Sequence, residues 1–454
     1  MHTRSAFSLA QFAVWSAVLV AFAARAGTAA GQGDDSWPGF RGPTANGHAA
    51  CKSAPTQWNE KGDKRENIRW KTAVHGKGWS SPVVLGDQIW VTTADEVLDP
   101  NPPPAKKGGP PANMVKEASY FAVCVDRKSG SVLHDIKLRT ESKPQYCHPF
   151  NSYASSTPYL ERGRLYAHFG SHGTFCVDTT SGKVLWERID FKCDHFRGPG
   201  SSAAVYGDLL YLIFDGADLQ YVVALDKLTG QTKWKTDRNI KYSNNNEGDI
   251  KKAYATPALF TVGGKEMLIC PSAECTMAYD PKTGEELWRF THGGMNGSAR
   301  AVMDGNLLYL NSGHSAKLFA LKANGLNGQV PKSAVEWESG KELKGVSVRP
   351  SLLVVNGLLF MVSDIGLASC VDAKTGKTQW SERLDGEFSS SPVFAGGNVY
   401  FCNQSGKTFV VKADREYQLV SENRLADGFM ASPAIAGDEL YLRTRTNLYA
   451  IGKK

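Results

Sequence analysis

Short apolar runs recur at regular intervals along the chain. Residues 209–213 (Leu-Leu-Tyr-Leu-Ile) and 221–225 (Tyr-Val-Val-Ala-Leu) are typical examples. Each run is bounded by Gly, Asp, Ser or Pro, which is the pattern of strands joined by tight turns. The 45 glycines of the sequence agree with many such turns. The pattern therefore predicts an all-β chain.

The runs group into a longer repeat. Each copy opens with Ser/Thr-Pro or a similar pair and continues through a Gly-Asp or Gly-Gly turn. An Asp-x-x-Thr/Ser-Gly turn follows, and a Trp lies four residues after that Gly, as in Asp226, Gly230 and Trp234. We interpret each copy as four antiparallel strands, a to d, in which the Trp of strand d fills the gap between neighbouring units.

Eight copies can be counted. The first strands begin near Ser81, Thr157, Ser202, Thr256, Ala299, Arg349, Ser391 and Ser432. The last copy ends after its third strand, and residues 68–71 near the N-terminus have the pattern of the missing fourth strand. We therefore predict an eight-bladed β-propeller of four-stranded antiparallel blades, with the ring closed by an N-terminal strand so that no sheet edge is left free.

Three copies depart from the consensus. The first has His134 where Trp is expected, and in the fifth Trp337 is displaced by an insertion. The seventh, at residues 413–416, has no Trp. A further insertion, the Pro/Gly-rich segment 100–112, is predicted to be a disordered or extended loop. A ring in which each blade touches only its neighbours tolerates such variation.

The N-terminal region has the pattern of a secretory signal, with Arg4 before an apolar run over residues 12–24 and small residues at 24–26. We predict a signal peptide at 1–26, an N-terminal extension at 27–54 and the propeller at 55–454. No second apolar run of spanning length follows, so no transmembrane segment is expected in the mature chain. The protein is expected to be exported, to the periplasm or outside the cell.

Charge and cysteine content narrow the classes of partner and chemistry. The net charge of +7 is small for 454 residues and no dense Lys/Arg run occurs, which argues against a nucleic-acid partner. The nine cysteines are an odd number without the spacing of a disulfide framework. Cys270 and Cys275 flank a short loop and are the best candidates for a local disulfide.

The repeat motif resembles that of a known superfamily. Ala-x-Asp-x-x-Thr-Gly-x-x-x-Trp, as at residues 224–234, is similar to the tryptophan-docking repeat of the pyrroloquinoline-quinone-like propellers. That superfamily includes quinoprotein alcohol dehydrogenases, an outer-membrane assembly lipoprotein and exported propellers, and the opening Trp-Pro-Gly-Phe-Arg-Gly-Pro at 37–43 resembles the last group. The dehydrogenases hold calcium and the quinone and often carry two adjacent cysteines, a pair that this sequence lacks.

The b–c and d–a loops share one rim and hold most of the unusual side chains, whereas the a–b and c–d turns on the other rim are short and generic. The segment 244–249 is predicted to be a solvated loop. The candidate ligand-binding residues on the first rim are His148, Asn151, His172, Arg197, Asp215, Asp218, Arg349 and Asp364.

Other interpretations of the rim are a metal site of His148, His172 and His195, with Asp215 as a further candidate ligand, and calcium bound by Asp215 and Asp218. A nucleophile formed by Cys147 with His148 or by Cys193 with His195 is also considered. Individual residues could also simply cap loops. No catalytic residue and no metal ligand are assigned.

Two functions remain open. The first is an exported scaffold that binds a protein, a glycan or a small ligand on this rim without catalysis. The alternative is a dehydrogenase that depends on pyrroloquinoline quinone and calcium. The first is favoured because function is argued from the site, and the dehydrogenase markers are missing from the sequence.

Overall fold

The computed structural model describes residues 35–60, 66–102, 113–244, 248–315, 317–340 and 342–453. The predicted signal peptide at 1–26 and residues 103–112 of the first insertion lie outside these residues. Clustering of contacts separates Met1–Gln32 from Gly33–Lys454, and the fold below is that of the second unit. None of the helices in the described residues is both long enough and apolar enough to span a bilayer.

Eight antiparallel sheets make up this unit, so the predicted all-β, eight-bladed propeller is confirmed. In chain order the strands are β1 (Ile68–Ala73); blade 1, β2 (Val83–Leu85), β3 (Gln88–Leu98), β4 (Val115–Asp126) and β5 (Val132–Ser142); blade 2, β6 (Tyr159–Glu161), β7 (Arg164–His168), β8 (Thr174–Asp178) and β9 (Val184–Arg188); blade 3, β10 (Ala204–Tyr206), β11 (Leu209–Asp215), β12 (Gln220–Asp226) and β13 (Thr232–Asp237); blade 4, β14 (Ala258–Val262), β15 (Lys265–Pro271), β16 (Cys275–Tyr279) and β17 (Glu286–Thr291).

The second half continues in the same way, with blade 5, β18 (Val302–Asp304), β19 (Leu307–Asn311), β20 (Leu318–Lys322) and β22 (Val335–Glu338); blade 6, β23 (Leu353–Val355), β24 (Leu358–Val362), β25 (Leu367–Asp372) and β26 (Thr378–Arg383); blade 7, β27 (Val393–Ala395), β28 (Asn398–Cys402), β29 (Lys407–Lys412) and β30 (Leu419–Arg424); and blade 8, β31 (Ala434–Ala436), β32 (Glu439–Arg443) and β33 (Asn447–Ile451). The short strand β21 (Gly328–Gln329) follows β20 in the chain but belongs to the sheet of blade 4. One α-helical turn, α1 (Gly248–Lys251), and 3-10 turns at Gly170–His172, Gly313–Ser315 and Lys332–Ala334 lie between strands.

The ring closes as predicted. β1 pairs antiparallel with β33 and supplies the outermost strand of blade 8, which therefore has the order β31, β32, β33, β1 from the inside outwards. Trp70 of β1 then donates its indole N–H to the carbonyl of Arg127 in blade 1 at 2.9 Å. First and last blades are thus joined by the same contact that joins other neighbours.

That contact explains the repeat motif. The indole of Trp186 donates to the carbonyl of Lys227 at 3.0 Å, and that of Trp234 donates to Pro281 at 2.9 Å, each in the Asp-x-x-Thr-Gly turn of the next blade. The turn glycine has a positive φ and lies against the indole face: a Cβ at Gly230 would be 2.8 Å from Trp186. Glycine is therefore required both for backbone conformation and for space.

Two of the three degenerate copies keep a ring against the turn of the next blade. His134 lies against the turn of blade 2, where a Cβ at Gly182 would be 3.2 Å from its ring, and stacks on Trp90 with 5.7 Å between ring centroids. Trp337 still reaches the carbonyl of Ala373 at 2.9 Å, because the blade 5 insertion adds β21 as a parallel edge strand on β17 of blade 4. The insertion therefore leaves the docking between blades 5 and 6 intact.

Residues 37–49, here called the floor segment, cross the end of the central channel beneath the inner strands. Trp37 pairs with Val84 of blade 1, and Leu160 of blade 2 donates its N–H to the carbonyl of Pro38 at 2.7 Å. On the far side Ala49 donates to the carbonyl of Phe394 in blade 7 at 2.9 Å. The segment closes the channel on the side of the a–b turns.

The nine cysteines are all free thiols. The disulfide expected between Cys270 and Cys275 is wrong, because the β15–β16 register places Cys270 opposite Met277 rather than opposite Cys275. Cys124, Cys176 and Cys370 are buried strand residues, as their position in the repeat predicts.

A glycine-to-alanine pair tests the docking contact. Gly207→Ala introduces a side chain at a φ of +57° with no atom within 4 Å of the new Cβ, so it carries only backbone strain, about 1–2 kcal/mol. Gly230→Ala, at a φ of +72°, must also displace Trp186, which adds about 1–3 kcal/mol. Urea unfolding measures both variants. Equal losses of stability would contradict a docking role for the glycine.

Candidate functional site

The central channel forms a blind well of about 530 Å³. It opens on the rim of the b–c and d–a loops, and Phe40 of the floor segment lies at its bottom. The lining residues come from the loops of the rim and from the beginnings of the inner strands: Trp79, Ser81, His148, Phe150, Asn151, Ser155, Thr157, Arg197, Pro199, Gly200, Ser202, Asp249, Tyr254, Thr256, Met295, Asn296, Ser298, His314, Arg349, Asp364, Ser389, Ser391, Met430 and Ser432.

One ion pair in the well joins the d–a loops before blades 3 and 4. Arg197 makes a bidentate contact with Asp249, with N–O distances of 2.7 and 2.8 Å, and Asn296 donates to the same carboxylate at 3.2 Å. Burial alone would raise the pKa of Asp249, but these hydrogen bonds outweigh burial and lower it. The carboxylate is therefore charged and fully engaged by protein donors.

A second ion pair lies in blade 6. Arg349 Nε donates to Asp364 Oδ2 at 2.6 Å, and the backbone N–H groups of Val348 and Arg349 donate to Oδ1 at 3.2 and 3.0 Å. The guanidinium also lies over the ring of Phe150, 4.4 Å from its centroid. This cation–π contact fixes the arginine against an aromatic wall of the well.

His148 presents a neutral ring. Its pKa is lowered by burial and by the nearby charges of Arg197 and Lys77. Nδ1 accepts a hydrogen bond from the backbone N–H of Phe150 at 3.1 Å, so the proton belongs on Nε2. Nε2–H is therefore a hydrogen-bond donor on a residue that lines the well, and the lowered pKa favours the uncharged ring.

The residues two positions before the inner strands form a belt of hydroxyl groups around the channel, here called the collar. Each collar hydroxyl accepts a hydrogen bond from the backbone N–H of the collar residue in the preceding blade, at 2.9–3.1 Å. Its members are Ser81, Thr157, Ser202, Thr256, Ser351, Ser391 and Ser432. The eighth position, in blade 5, is Arg300.

Five of the eight residues predicted for the rim line the well: His148, Asn151, Arg197, Arg349 and Asp364. Asn151 is engaged by the next d–a loop, since its amide donates to the carbonyls of Arg197 and Pro199 at 3.0 and 2.9 Å. It orders the wall rather than offering free groups to a ligand.

The other three residues lie outside the well. His172 is buried and hydrogen-bonds Glu141 at 2.6 Å, and Asp215 forms a buried ion pair with Arg238 at 2.6 Å. Asp218 accepts from the backbone N–H of Asp194 at 2.6 Å. These side chains stabilise contacts between neighbouring blades from blade 1 to blade 4, which the order of residues in a loop does not reveal.

The metal site and the nucleophiles considered for the rim are not supported by the positions of their residues. Within the described residues no group of three or more His, Cys, Asp or Glu side chains could hold a metal ion. His195 is buried, and its Nε2 accepts from the backbone N–H of Ser171 at 2.8 Å. Burial raises the pKa of Cys147 to about 12 and that of Cys193 to about 11, so neither is a ready thiolate nucleophile.

Sequence reasoning missed three features of the well. Asp249 falls in the segment predicted to be a solvated loop, yet it is the partner of Arg197. Phe40 belongs to a segment assigned as an extension. The collar hydroxyls had a signal, the Ser/Thr at the start of most repeats, but the pattern alone indicates a strand end and not the direction of a side chain.

Comparisons with known proteins identify the family of this chain and support its fold. The family model described as Outer membrane protein assembly factor BamB matches residues 115–273 and 273–451. BamB of Moranella endobia is 21% identical over 292 residues, which are 63% of this chain and 69% of the relative. The crystal structure of BamB from Moraxella catarrhalis superposes with a TM-score of 0.55 at 12% identity, covering 85% of this chain and 99% of that one.

Other matches are enzymes. Tetrathionate hydrolase of Acidithiobacillus ferrooxidans is 24% identical over 260 residues, and a 1-butanol dehydrogenase (quinone) of Thauera butanivorans is 29% identical over 156 residues. These alignments cover 55% and 33% of this chain, and it spans only 49% and 23% of the length of the two enzymes. A europium-containing methanol dehydrogenase has a TM-score of 0.63 at 12% identity over 93% of this chain and 99% of that one, which shows the fold alone.

The family match runs through blades 1 to 8 and covers well over half of the sequence. The sheet order, the tryptophan docking and the closing strand describe the same repeat in three dimensions. The protein therefore belongs to the family of the outer membrane protein assembly factor BamB, the pyrroloquinoline-quinone-like β-propellers.

Proposed function

We propose that this protein is a non-catalytic binding propeller that takes a small ligand into the central well. The observation that carries the proposal is the well itself, which is closed by the floor segment and open on the rim of irregular loops. A volume of about 530 Å³ is in the range of small-molecule sites. A blind well surrounded by rigid blades is pre-organised for a ligand of that size.

The chemistry of the wall supports the same proposal. Aromatic surface from Trp79, Phe150 and Tyr254 lies beside two fixed Arg–Asp pairs and the Nε2–H of His148. Apolar area supplies binding free energy, and a few oriented polar groups supply specificity. We propose His148, Arg197, Arg349 and Asp364 as ligand contacts, with Asn151 as a positioning residue.

The alternative, a dehydrogenase that uses pyrroloquinoline quinone and calcium, does not fit the residues of the well. A calcium ion needs several free oxygen ligands, but the well carboxylates Asp249 and Asp364 are both held by arginines. The sequence also has no adjacent cysteine pair. We therefore derive no reaction step for this protein.

A second candidate function is the binding of a partner protein on the rim. The family description names an assembly factor, and apolar side chains stand exposed on the same rim. Leu219 is 52% exposed and Ile365 is 66% exposed, both in b–c loops. A flat rim contact of this kind would not depend on access to the well.

We also propose that the protein acts after export, in the periplasm or outside the cell. The apolar segment at residues 12–24 behind Arg4 supports a signal peptide at 1–26. A glycan could use the aromatic wall of the well and belongs among the compounds to be tested.

Blocking the well tests the main proposal. Ser298 lines it and Ser333 lies exposed in the blade 5 insertion, so Ser298→Trp fills the well while Ser333→Trp adds the same surface elsewhere in that blade. A thermal-shift panel of amino acids, dipeptides, sugars, carboxylates and inorganic anions should stabilise wild type and Ser333→Trp by mass action, and leave Ser298→Trp unshifted.

Either of two results would contradict the proposal: no compound in the panel stabilises the wild type, or the stabilising compounds act equally on Ser298→Trp. The second result would direct attention to the exposed rim.

The quinone alternative has its own test. The protein is expected to show no saturable rise in melting temperature with pyrroloquinoline quinone plus calcium, since the well offers no free carboxylate cluster for the ion. A clear shift at stoichiometric quinone would restore the dehydrogenase hypothesis.

A further inference from the structure

A guanidinium group lies directly beneath the floor of the well. Arg41 is buried, and it donates hydrogen bonds to the carbonyls of Leu352 and Pro392, the residues that follow two collar serines, and to that of Asn46. All three partners are neutral. Burial and the nearby charge of Arg300 lower the pKa of Arg41 to about 9, as expected for a cation without a counter-charge.

A second guanidinium occupies the collar itself. Arg300 takes the place of the eighth hydroxyl residue, and its backbone N–H donates to Ser351 at 3.0 Å. The side chain donates to the carbonyl of Phe40 at 3.0 Å and to the hydroxyl of Tyr206 at 2.6 Å. Its partners are again neutral oxygens.

A third lies at the level of the collar in blade 8. Arg443 is buried and donates to the hydroxyl and carbonyl of Ser80, next to collar Ser81, and to the carbonyl of Thr92. Burial lowers its pKa to about 9 as well. In the part of the chain that the structure describes, Arg41, Arg300 and Arg443 form no ion pair with a carboxylate.

Burying a positive charge without a negative charge nearby costs free energy. A buried cation loses hydration, and proteins normally restore the balance with an opposite charge. Arg238 in blade 3 shows the ordinary solution, because Asp215 lies 2.6 Å away and outweighs the effect of burial, so that the pKa of Arg238 is raised. The two Arg–Asp ion pairs that line the well are each neutral in sum, whereas Arg41, Arg300 and Arg443 add positive charge that no carboxylate of the described residues balances.

The collar adds hydrogen-bond donors to this positive charge. Each hydroxyl oxygen already accepts a backbone N–H, so its own proton is free to be donated. Among the described residues none of the seven collar hydroxyls donates to a protein acceptor, and all but Ser351 line the well. Six O–H groups therefore surround the axis just above Phe40.

We propose that the collar hydroxyls form an anion site at the bottom of the well that takes a carboxylate, sulfate or phosphate group. Arg41, Arg300 and Arg443 do not line the well, and they contribute uncompensated positive charge from positions buried around it. This inference rests on the proposed function and deepens it: the ligand is a small anion, or a molecule with an anionic end that enters first. Oxyanion oxygens accept several hydrogen bonds at once and supply the missing negative charge.

Calorimetric titration of the full chain with sodium sulfate tests the site, in chloride buffer of fixed ionic strength. Thr157→Val removes one collar hydroxyl with little change of shape and should weaken sulfate binding about tenfold or more, as expected for a hydrogen bond to a charged group. Thr408→Val is the matched control, because Thr408 is buried and its hydroxyl contacts Cys402 at 3.4 Å in blade 7, away from the well. It should bind sulfate as wild type does.

Arg300→Gln provides a second variant if Thr157→Val does not fold. Its amide can still donate to the carbonyl of Phe40, but the charge is lost, and sulfate affinity should again fall about tenfold or more. Titration with acetate and with inorganic phosphate identifies which oxyanion the site prefers.

The inference is overturned if sulfate, phosphate and acetate all fail to bind wild type, or if they bind Thr157→Val and Arg300→Gln as tightly as wild type. If the proposed function is wrong, the pattern is different: neutral and anionic compounds alike stabilise Ser298→Trp as much as they stabilise the wild type. Neutral compounds that bind in the well while no anion does would leave the proposed function standing without the anion site.

Discussion

The contact between the tryptophan of one blade and the glycine turn of the next sets the geometry on which the rest of the molecule depends. Trp70, Trp186, Trp234 and Trp337 each lie on the turn glycine of the next blade and donate to a carbonyl of that turn, as Trp234 does at Pro281. Trp288 is an exception, because its indole donates to the sulfur of Met267. Where the contact occurs, it fixes the angle between neighbouring blades, and the angle between blades determines the width of the central channel. The residues just before the inner strands thereby come close enough to form the collar.

Much of this fold could be predicted from the sequence because the residues of the docking contact recur in most of the repeats. The number of blades, the closing strand at residues 68–73 and the displaced Trp337 all follow from one motif. The site was harder to predict, because loops b–c and d–a carry no such repeat. His172 and Asp215 have the residue types of a binding site yet serve as buried partners of Glu141 and Arg238.

Charge balance connects the structure to its proposed use. Most charged groups near the axis are paired, and the arginines beneath the well are the exception. Arg41 and Arg300 hold the floor segment in place, Arg41 through the carbonyls of Leu352 and Pro392 and Arg300 through the carbonyl of Phe40. Arg443 holds blade 8 to blade 1 through Ser80 and Thr92. These side chains therefore have a structural role, and they also add positive charge near the bottom of the well.

A crystal of the protein soaked in sodium selenate gives the most direct test, since selenium is located by its anomalous scattering. We expect a selenium peak on the channel axis above Phe40, within hydrogen-bond distance of collar hydroxyls such as Thr157 and Ser391. The anion site would be contradicted if selenate occupied other surface sites but left the collar empty. A peak found only beside Arg197 or Arg349 would also contradict it.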